Sequence, residues 1–309
     1  MQLIRGLAGL RGRSPGCAVT IGTYDGIHLG HQALLARLTE HAARRETASV
    51  LLTFEPTPRE YLAPADPPPR LTSLRERWRI LEPLGLDYLW LLRFGEALRN
   101  LCAEDFAQLL VRELAPSVVV GHDFRFAKHG QATGPILAEA GRRLGFEVDV
   151  LPAVTLDGER VSSSGVRAAL AASDFERARR WLGRAWSMRG RVQPGRALGA
   201  RLGFPTANVP LERRCSPVAG IFAVRVRGTG EGERPGVASL GTRPTIGGGE
   251  ALLEAHVFDF DGDLYGREIE VEFVARLRDE ERFASLEALT QQMERDAAEA
   301  RRILNPIPT

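Results

Sequence analysis

The chain has 309 residues, of which 44% are hydrophobic and 26% charged, and a formal net charge of +2. That length is ample for two ordinary domains with sizeable cores, and the near-neutral charge argues against a dedicated nucleic-acid binder with a large basic face. No run reaches the roughly 18 apolar residues of a membrane span, and the apolar part of MQLIRGLAGLRGRSPG is too short for a secretory signal, so a soluble cytoplasmic protein is expected.

In chain order, AVTIG (18–22) reads as a strand and HLGHQALLARLTEHAAR (28–44) as a helix, its apolar residues spaced near i, i+3, i+4. SVLLTF (49–54) reads as a buried strand, and SLRERWRILEPLG (73–85) as a helix opened by a serine cap. YLWLL (88–92), EDFAQLLVREL (104–114) and SVVVG (117–121) continue as strand, helix and strand. GPILAEAGRRLG (134–145) is helical and stops at glycine, and FEVDVLPAV (146–154) is extended. This alternation predicts a parallel, Rossmann-like sheet with helices on its faces, and ligands then bind beyond the carboxyl ends of the strands. The unusual residues follow strands: Gly22 to His31, Phe54 to Arg59, and Gly121 to Lys128. APADPPP (63–69) is the one low-complexity stretch and is expected to be a mobile loop.

Near LGRAW (182–186) the pattern changes to period two. GIFAVRV (220–226), EAHVFDF (254–260) and EIEVEF (268–273) alternate between Gly and Pro punctuation, which predicts a small antiparallel barrel. SLEALTQQMERDAAEARRIL (285–304) is a closing helix. The expected domains are therefore α/β for residues 1–182 and β-barrel for residues 183–309. Cys17, Cys102 and Cys215 are odd in number and far apart, so they are expected as buried free thiols. Lys128 is the single lysine among 41 basic residues, so a phosphate must be gripped by arginine, by Lys128 or by backbone amides.

GTYDGIHLGH (22–31) places two of six histidines, His28 and His31, at i and i+3 where a strand passes into a helix. Backbone N–H groups and the helix dipole favour an anion there, and two imidazole donors could hold the phosphates of a nucleotide. Gly30 between them would let a ribose or base lie against bare backbone. The competing readings are a metal pair, which needs a third ligand that no H-E-x-x-H or Cys cluster supplies, and plain structural histidines. In VSSSGVR (161–167), Ser162, Ser163 and Ser164 offer hydroxyls at a helix start and Arg167 adds charge. The alternative there is a helix cap with a surface arginine.

In LGFPTANV (202–209), Thr206 and Asn208 stand two apart on one side of an extended chain, as hard oxygen donors suited to Mg²⁺ and its substrate phosphates, or else simply fill a turn. The preceding GRVQPGRALGARLG, with Gly195, Gly199 and Gly203, could cradle phosphates through exposed amides, but it lacks the lysine of a P-loop. In LLEAHVF, Glu254, His256 and Phe258 share one strand face, so Glu254 is either a proton acceptor or an outward-facing surface acid.

The H-x-G-H of this chain resembles the signature of the nucleotidylyltransferase superfamily. Together GTYDGIHLGHQALL, LTFEPTPRE, VVGHDFRFAKHG, VSSSGVRAAL, LGFPTAN and DLYGREIEVEF resemble, in order and over nearly the whole chain, the bacterial bifunctional riboflavin kinase/FAD synthetases. The resemblance implies a C-terminal module that phosphorylates riboflavin with ATP and an N-terminal module that transfers AMP from ATP to FMN. It implies Glu254 as the kinase base, Thr206 and Asn208 as Mg·ATP ligands, and Arg278 in RDEERF (278–283) on the flavin side. It also implies nucleotide-side roles for Gly22, Asp25, His28, Gly30, His31, Asp123, Ser162 to Ser164 and Arg167. Riboflavin, FMN and ATP are then the partners, with Mg²⁺ accompanying ATP, no nucleic acid or membrane, and a monomer or weak homo-oligomer. The chain departs from the family pattern at Thr23 and Tyr24 (for Asn and Phe), Thr57 (for His), Ala127 (for Gly) and Gly165 (for a basic residue). Those at 57 and 165 suggest a rival reading, a flavin-binding or regulatory protein, or a riboflavin kinase whose adenylyltransferase half is inactive.

Overall fold

The computed structural model describes residues 1–6, 16–114, 116–127, 130–195, 199, 202–211, 213, 215–230, 232–242 and 251–304. Lys128 and residues 196–198, 200 and 201 of the glycine-rich loop lie outside the described residues. The first part of the chain runs β1 (Gln2–Arg5), β2 (Cys17–Ile21), α1 (Leu29–Arg44), β3 (Ala48–Phe54), α2 (Pro58–Leu62), α3 (Leu74–Leu81), β4 (Tyr88–Leu92), α4 (Glu96–Arg99), α5 (Ala103–Leu114), β5 (Pro116–Gly121), β6 (Arg125–Phe126), β7 (Ala132–Thr133), α6 (Gly134–Leu144) and β8 (Val148–Leu151). Then follow β9 (Thr155–Leu156), β10 (Glu159–Arg160), α7 (Ser163–Ala171), α8 (Phe175–Leu182), β11 (Ser187–Arg191), β12 (Ala207–Pro210), β13 (Gly220–Arg227), β14 (Glu233–Thr242), β15 (Ala251–Val257), β16 (Glu268–Arg278) and α9 (Leu286–Leu304). Two compact units result: Met1–Pro68 with Arg77–Ser162, and Pro69–Glu76 with Ser163–Thr309.

The first unit is built on a six-stranded parallel sheet in the order β1-β4-β3-β2-β5-β8. Val19, Leu52, Trp90 and Val120 of its strands are buried against Leu110 of α5 and Leu137 of α6. Burial on both faces explains the unbroken apolar runs of β3 and β5. Since β2 pairs with both β3 and β5, the chain order reverses at β2, and the carboxyl ends of β2 and β5 flank the switch point where such sheets bind ligands. β1 escapes a sequence reading because it is four residues long and buries only Ile4.

One cysteine expectation needs correction. Cys17 is buried, and burial pushes its thiol up to about 12, but Cys102 is exposed and Cys215 only half-buried. The Cys102 sulfur accepts the Asp105 backbone N–H at 3.4 Å, so it serves as a cap at the solvent-facing start of α5 rather than as core.

In the second unit, six antiparallel strands follow the order β11-β16-β13-β14-β15-β12. Gln193, just after β11, donates its backbone N–H to Asn208 O of β12 at 2.8 Å and so nearly closes the barrel. Burial alternates residue by residue along the first part of β16, which is the source of the period-two signal. β15 begins earlier than its sequence pattern indicated and ends at Val257, so Phe258 is buried just beyond the strand. β14 hides from a pattern reading because Gly236 interrupts it, and a side chain there would collide with His256 O. α8 also belongs to this unit: its Phe175 ring meets Phe222 edge-on and stacks with Phe273, at centroid distances of 6.0 and 6.3 Å.

Candidate active sites

In the first unit, the loop after β2 is held from several sides. Tyr24 and Ile27 are almost fully buried at φ of 50° and 44°, a region costly for side chains with a Cβ and doubly so for β-branched isoleucine. The Tyr24 hydroxyl (Oη) and Thr20 Oγ1 are 2.5 Å apart, Gln32 Nε2 donates to Ile27 O at 2.9 Å, and Arg77 Nη1 donates to Thr23 O at 2.7 Å. Buried Arg77 also reaches Glu55 Oε2 at 3.0 Å, which ties the loop after β2 to the end of β3. Sequence reasoning missed this residue because an arginine within RERWR looks like a solvated helix face.

His28 is the N-cap of α1, and its Nδ1 accepts the His31 backbone N–H at 3.3 Å. With Nδ1 acting as acceptor, Nε2 carries the proton of the neutral ring and is a donor. The two rings stack at 3.7 Å and 17°. Near-parallel rings point their in-plane lone pairs along separate planes, so both cannot reach one ion at the ~2.0–2.1 Å of a metal–imidazole bond. That geometry disfavours the metal reading. Burial, with a contribution from His28, holds the His31 imidazole well below its ordinary 6.5, so it stays neutral near pH 7. Asp25 is buried within the same loop.

The glycines here act differently from the expectation. A Cβ on Gly30 would stand 3.1 Å from the His28 ring, and one on Gly22 would stand 3.0 Å from the Tyr24 ring. Gly30 thus makes room for the histidine itself, in the space expected to hold a base or ribose. Asp123, after β5, is exposed and 3.7 Å from Arg160. Ser162 ends the first unit, whereas Ser163, Ser164 and Arg167 fall in the second, on α7, where Arg167 Nε donates to Pro69 O at 2.6 Å.

The family departures have local explanations. Thr57 is the N-cap of α2 in a reciprocal capping box with Glu60, the two bonds measuring 2.9 and 3.4 Å. Gly165 lies against Trp181 of α8, which occupies the space any side chain at 165 would enter.

The second unit contains a cleft of about 810 Å³ whose wall includes Gly199, Thr206, Asn208, Glu254, His256 and Arg278. β12 and β15 set Asn208 directly opposite Glu254, and β14 sets Ser239 opposite Glu254 on the other side. Directly opposed residues share a sheet face, so the carboxylate is flanked by an amide and a hydroxyl. Asn208 is 7% exposed and its Oδ1 has no hydrogen-bond partner among the described residues, while Nδ2 donates to Thr206 O at 3.3 Å. A buried acceptor left open beside a threonine suits a hard cation. Gly195 packs on the Asn208 amide, where a Cβ would fall 2.4 Å from Nδ2, and Gly203 takes a φ of 84°.

Two positioning contacts were not legible in the sequence. His256 Nδ1 lies 2.8 Å from Pro205 O, which fastens the turn carrying Thr206 and Asn208 to the strand carrying Glu254. Ser239 Oγ donates to Glu280 Oε1 at 3.1 Å, placing a second carboxylate at the cleft. Arg278 is held by buried Asp296 of α9 through bonds of 2.8 to 3.0 Å, with its guanidinium 5.6 Å from the Phe283 ring.

Comparison with known proteins decides the family. The FAD synthetase family model matches residues 11–165 and the riboflavin kinase model residues 182–304. A bifunctional riboflavin kinase/FMN adenylyltransferase of Pseudomonas fluorescens is 46% identical over 309 residues, covering 99% of both chains. The protein of the same name from Escherichia coli K12 is 43% identical and covers 97% of both. The chain belongs to the bifunctional riboflavin kinase/FMN adenylyltransferase family. A solved structure from Streptococcus pneumoniae, described as a macrolide-efflux protein, shares the fold of this family member at a TM-score of 0.79, with 28% identity and 99% coverage of each chain. Among the described residues of the present chain, no helix is long and apolar enough to cross a membrane.

Proposed function

We infer that this chain makes FAD in two steps: the C-terminal module phosphorylates riboflavin with ATP, and the N-terminal module transfers AMP from ATP to the FMN formed. The observation that carries the kinase half is Glu254, set between Asn208 and Ser239 on the wall of the cleft. In the first step the terminal ribityl hydroxyl attacks the γ-phosphorus, ADP leaves, and Glu254 accepts the hydroxyl proton. Thr206 and the open Oδ1 of Asn208 would hold Mg²⁺, whose chemistry is to neutralise and orient the phosphates of ATP. Gly195, Gly199 and Gly203 are assigned to the phosphate side of that cleft, and Arg278, held by Asp296, to the flavin side.

In the second step an FMN phosphate oxygen attacks the α-phosphorus of a second ATP and pyrophosphate leaves. His28 Nε2–H and neutral His31 act as preorganised donors to the phosphates, aimed at the charge that develops as pyrophosphate leaves. Asp25, Asp123, Ser162 to Ser164 and Arg167 are assigned to the same reaction on the motif match, with adenylyltransfer and kinase activities divided at 182/183. The reading includes a cytoplasmic location and a monomer or weak homo-oligomer.

Incubation with riboflavin, ATP and Mg²⁺ followed by chromatography of the flavins tests it. FAD is expected. Accumulation of FMN alone would leave the N-terminal half inactive, and unchanged riboflavin would reduce the chain to a flavin binder.

A further inference from the structure

The first unit carries another cleft, of about 590 Å³, at the opposite end of its sheet. Arg37 and His41 enter it from the second half of α1, Ser117 from the start of β5, Arg142 from the last turn of α6, and Asp149 from β8. These are the amino-terminal ends of the strands. His28 caps the far end of α1, and sixteen helical residues at 1.5 Å each separate the ends by about 24 Å.

The polar groups of this cleft are incompletely bonded. Ser117 is 4% exposed, and its Oγ has no hydrogen-bond partner among the described residues. Both ring nitrogens of His41 are buried with no hydrogen-bond partner among the described residues; Nε2 stands 3.3 Å from Asp149 Oδ2, outside hydrogen-bonding geometry. Buried hydroxyls and ring nitrogens left in this state are unfavourable unless a bound species completes them. Neither proposed reaction uses these residues.

The chemistry of the open groups selects the occupant. Asp149 accepts Arg37 Nε at 2.9 Å, and Glu147 is paired with Arg45, so the two acids on the rim are already neutralised. Arg142 has no ion pair among the described residues. What remains open is a hydroxyl, an imidazole and a guanidinium, a set that favours an acceptor-rich anion, and a phosphate offers only acceptors when fully ionised. A phosphate fills a small part of the volume. The rest is bounded by Pro135, Ala138, Phe146 and Val148, an apolar wall suited to an aromatic or aliphatic body.

We propose that this cleft binds a small phosphomonoester: its phosphate on Ser117, His41 and Arg142, its organic body against Phe146 and Val148. The test uses the full chain labelled with [¹³C]histidine, the His41 signal being assigned with His41→Gln. Titration with phenyl phosphate should shift that signal saturably, with inorganic phosphate binding more weakly because it lacks the apolar body. Arg142→Gln, a change at an exposed site, and Ser117→Ala should each weaken binding by about tenfold while FAD formation stays unchanged. The proposal falls if the His41 signal does not move while those of His28 and His31 do, or if neither variant alters its titration. Equal affinity for inorganic and phenyl phosphate would overturn the assignment of the organic body to the apolar wall.

Discussion

Asn208 and Glu254 stand directly opposite each other on β12 and β15, so a buried amide oxygen with no hydrogen-bond partner among the described residues faces the same side as a carboxylate in the cleft. Neither residue alone singles out this wall of the cleft; their register brings the amide and the carboxylate together. If Glu254 accepts the ribityl proton, Glu254→Gln keeps the shape and loses the base. Turnover to FMN should fall by roughly 10²–10⁴, in kcat more than in KM, with FAD synthesis from supplied FMN untouched. Near-normal kinase turnover would return Glu254 to an ordinary acid.

Asn208→Ala separates a ligand from a structural residue. Because Oδ1 has no hydrogen-bond partner among the described residues, its removal should change stability by no more than about 1 kcal/mol. Kinase activity, by contrast, should drop and require more Mg²⁺. An unchanged Mg²⁺ dependence would show that Asn208 does not contact the cation.

His28→Asn keeps a good helix cap on α1 while removing the imidazole. FAD formation from FMN and ATP should fall by about 10²–10³ with riboflavin phosphorylation retained. Loss of both activities in a folded variant would contradict two separate sites.

The buried His31 ring titrates well below 6.5, whereas the unfolded chain carries a histidine near that ordinary value. Below 6.5 the unfolded state therefore binds more protons, so the stability contributed by neutral His31 is complete above that pH and is lost as the pH falls. His31→Gln should flatten the pH dependence of the urea midpoint on the acid side. An identical slope in the variant would mean that another group sets it.

At Gly165 a Cβ would stand 2.0 Å from Cζ3 of Trp181, which is itself buried. Gly165→Ala should therefore destabilise by about 1–3 kcal/mol, measured by thermal unfolding, even though alanine is the better helix former. Trp181→Ala in the same chain should recover part of the Gly165→Ala loss, since the two changes share one space. A Gly165→Ala chain as stable as the parent would remove this explanation of the missing basic residue.

The sequence by itself determined the elements whose burial has a period. β3 and β5 are buried on both faces and read as apolar runs; β16 alternates, and α1 and α9 carry helical spacing. It also made the candidate groups of H-x-G-H and P-T-A-N legible, because those residues lie within a few positions of one another. What only the tertiary structure decided depends on long separations. Arg77 meets Thr23 across 54 residues, Trp181 fills the space at Gly165, and Asn208 finds Glu254 through strand register. Local spacing reports which face of an element is apolar, but not which distant side chain will fill the space beside a glycine or complete a cleft. Gly165 shows the limit most plainly: in the sequence it is a missing cation, and in the fold it is the only residue small enough for Trp181 to stand beside it.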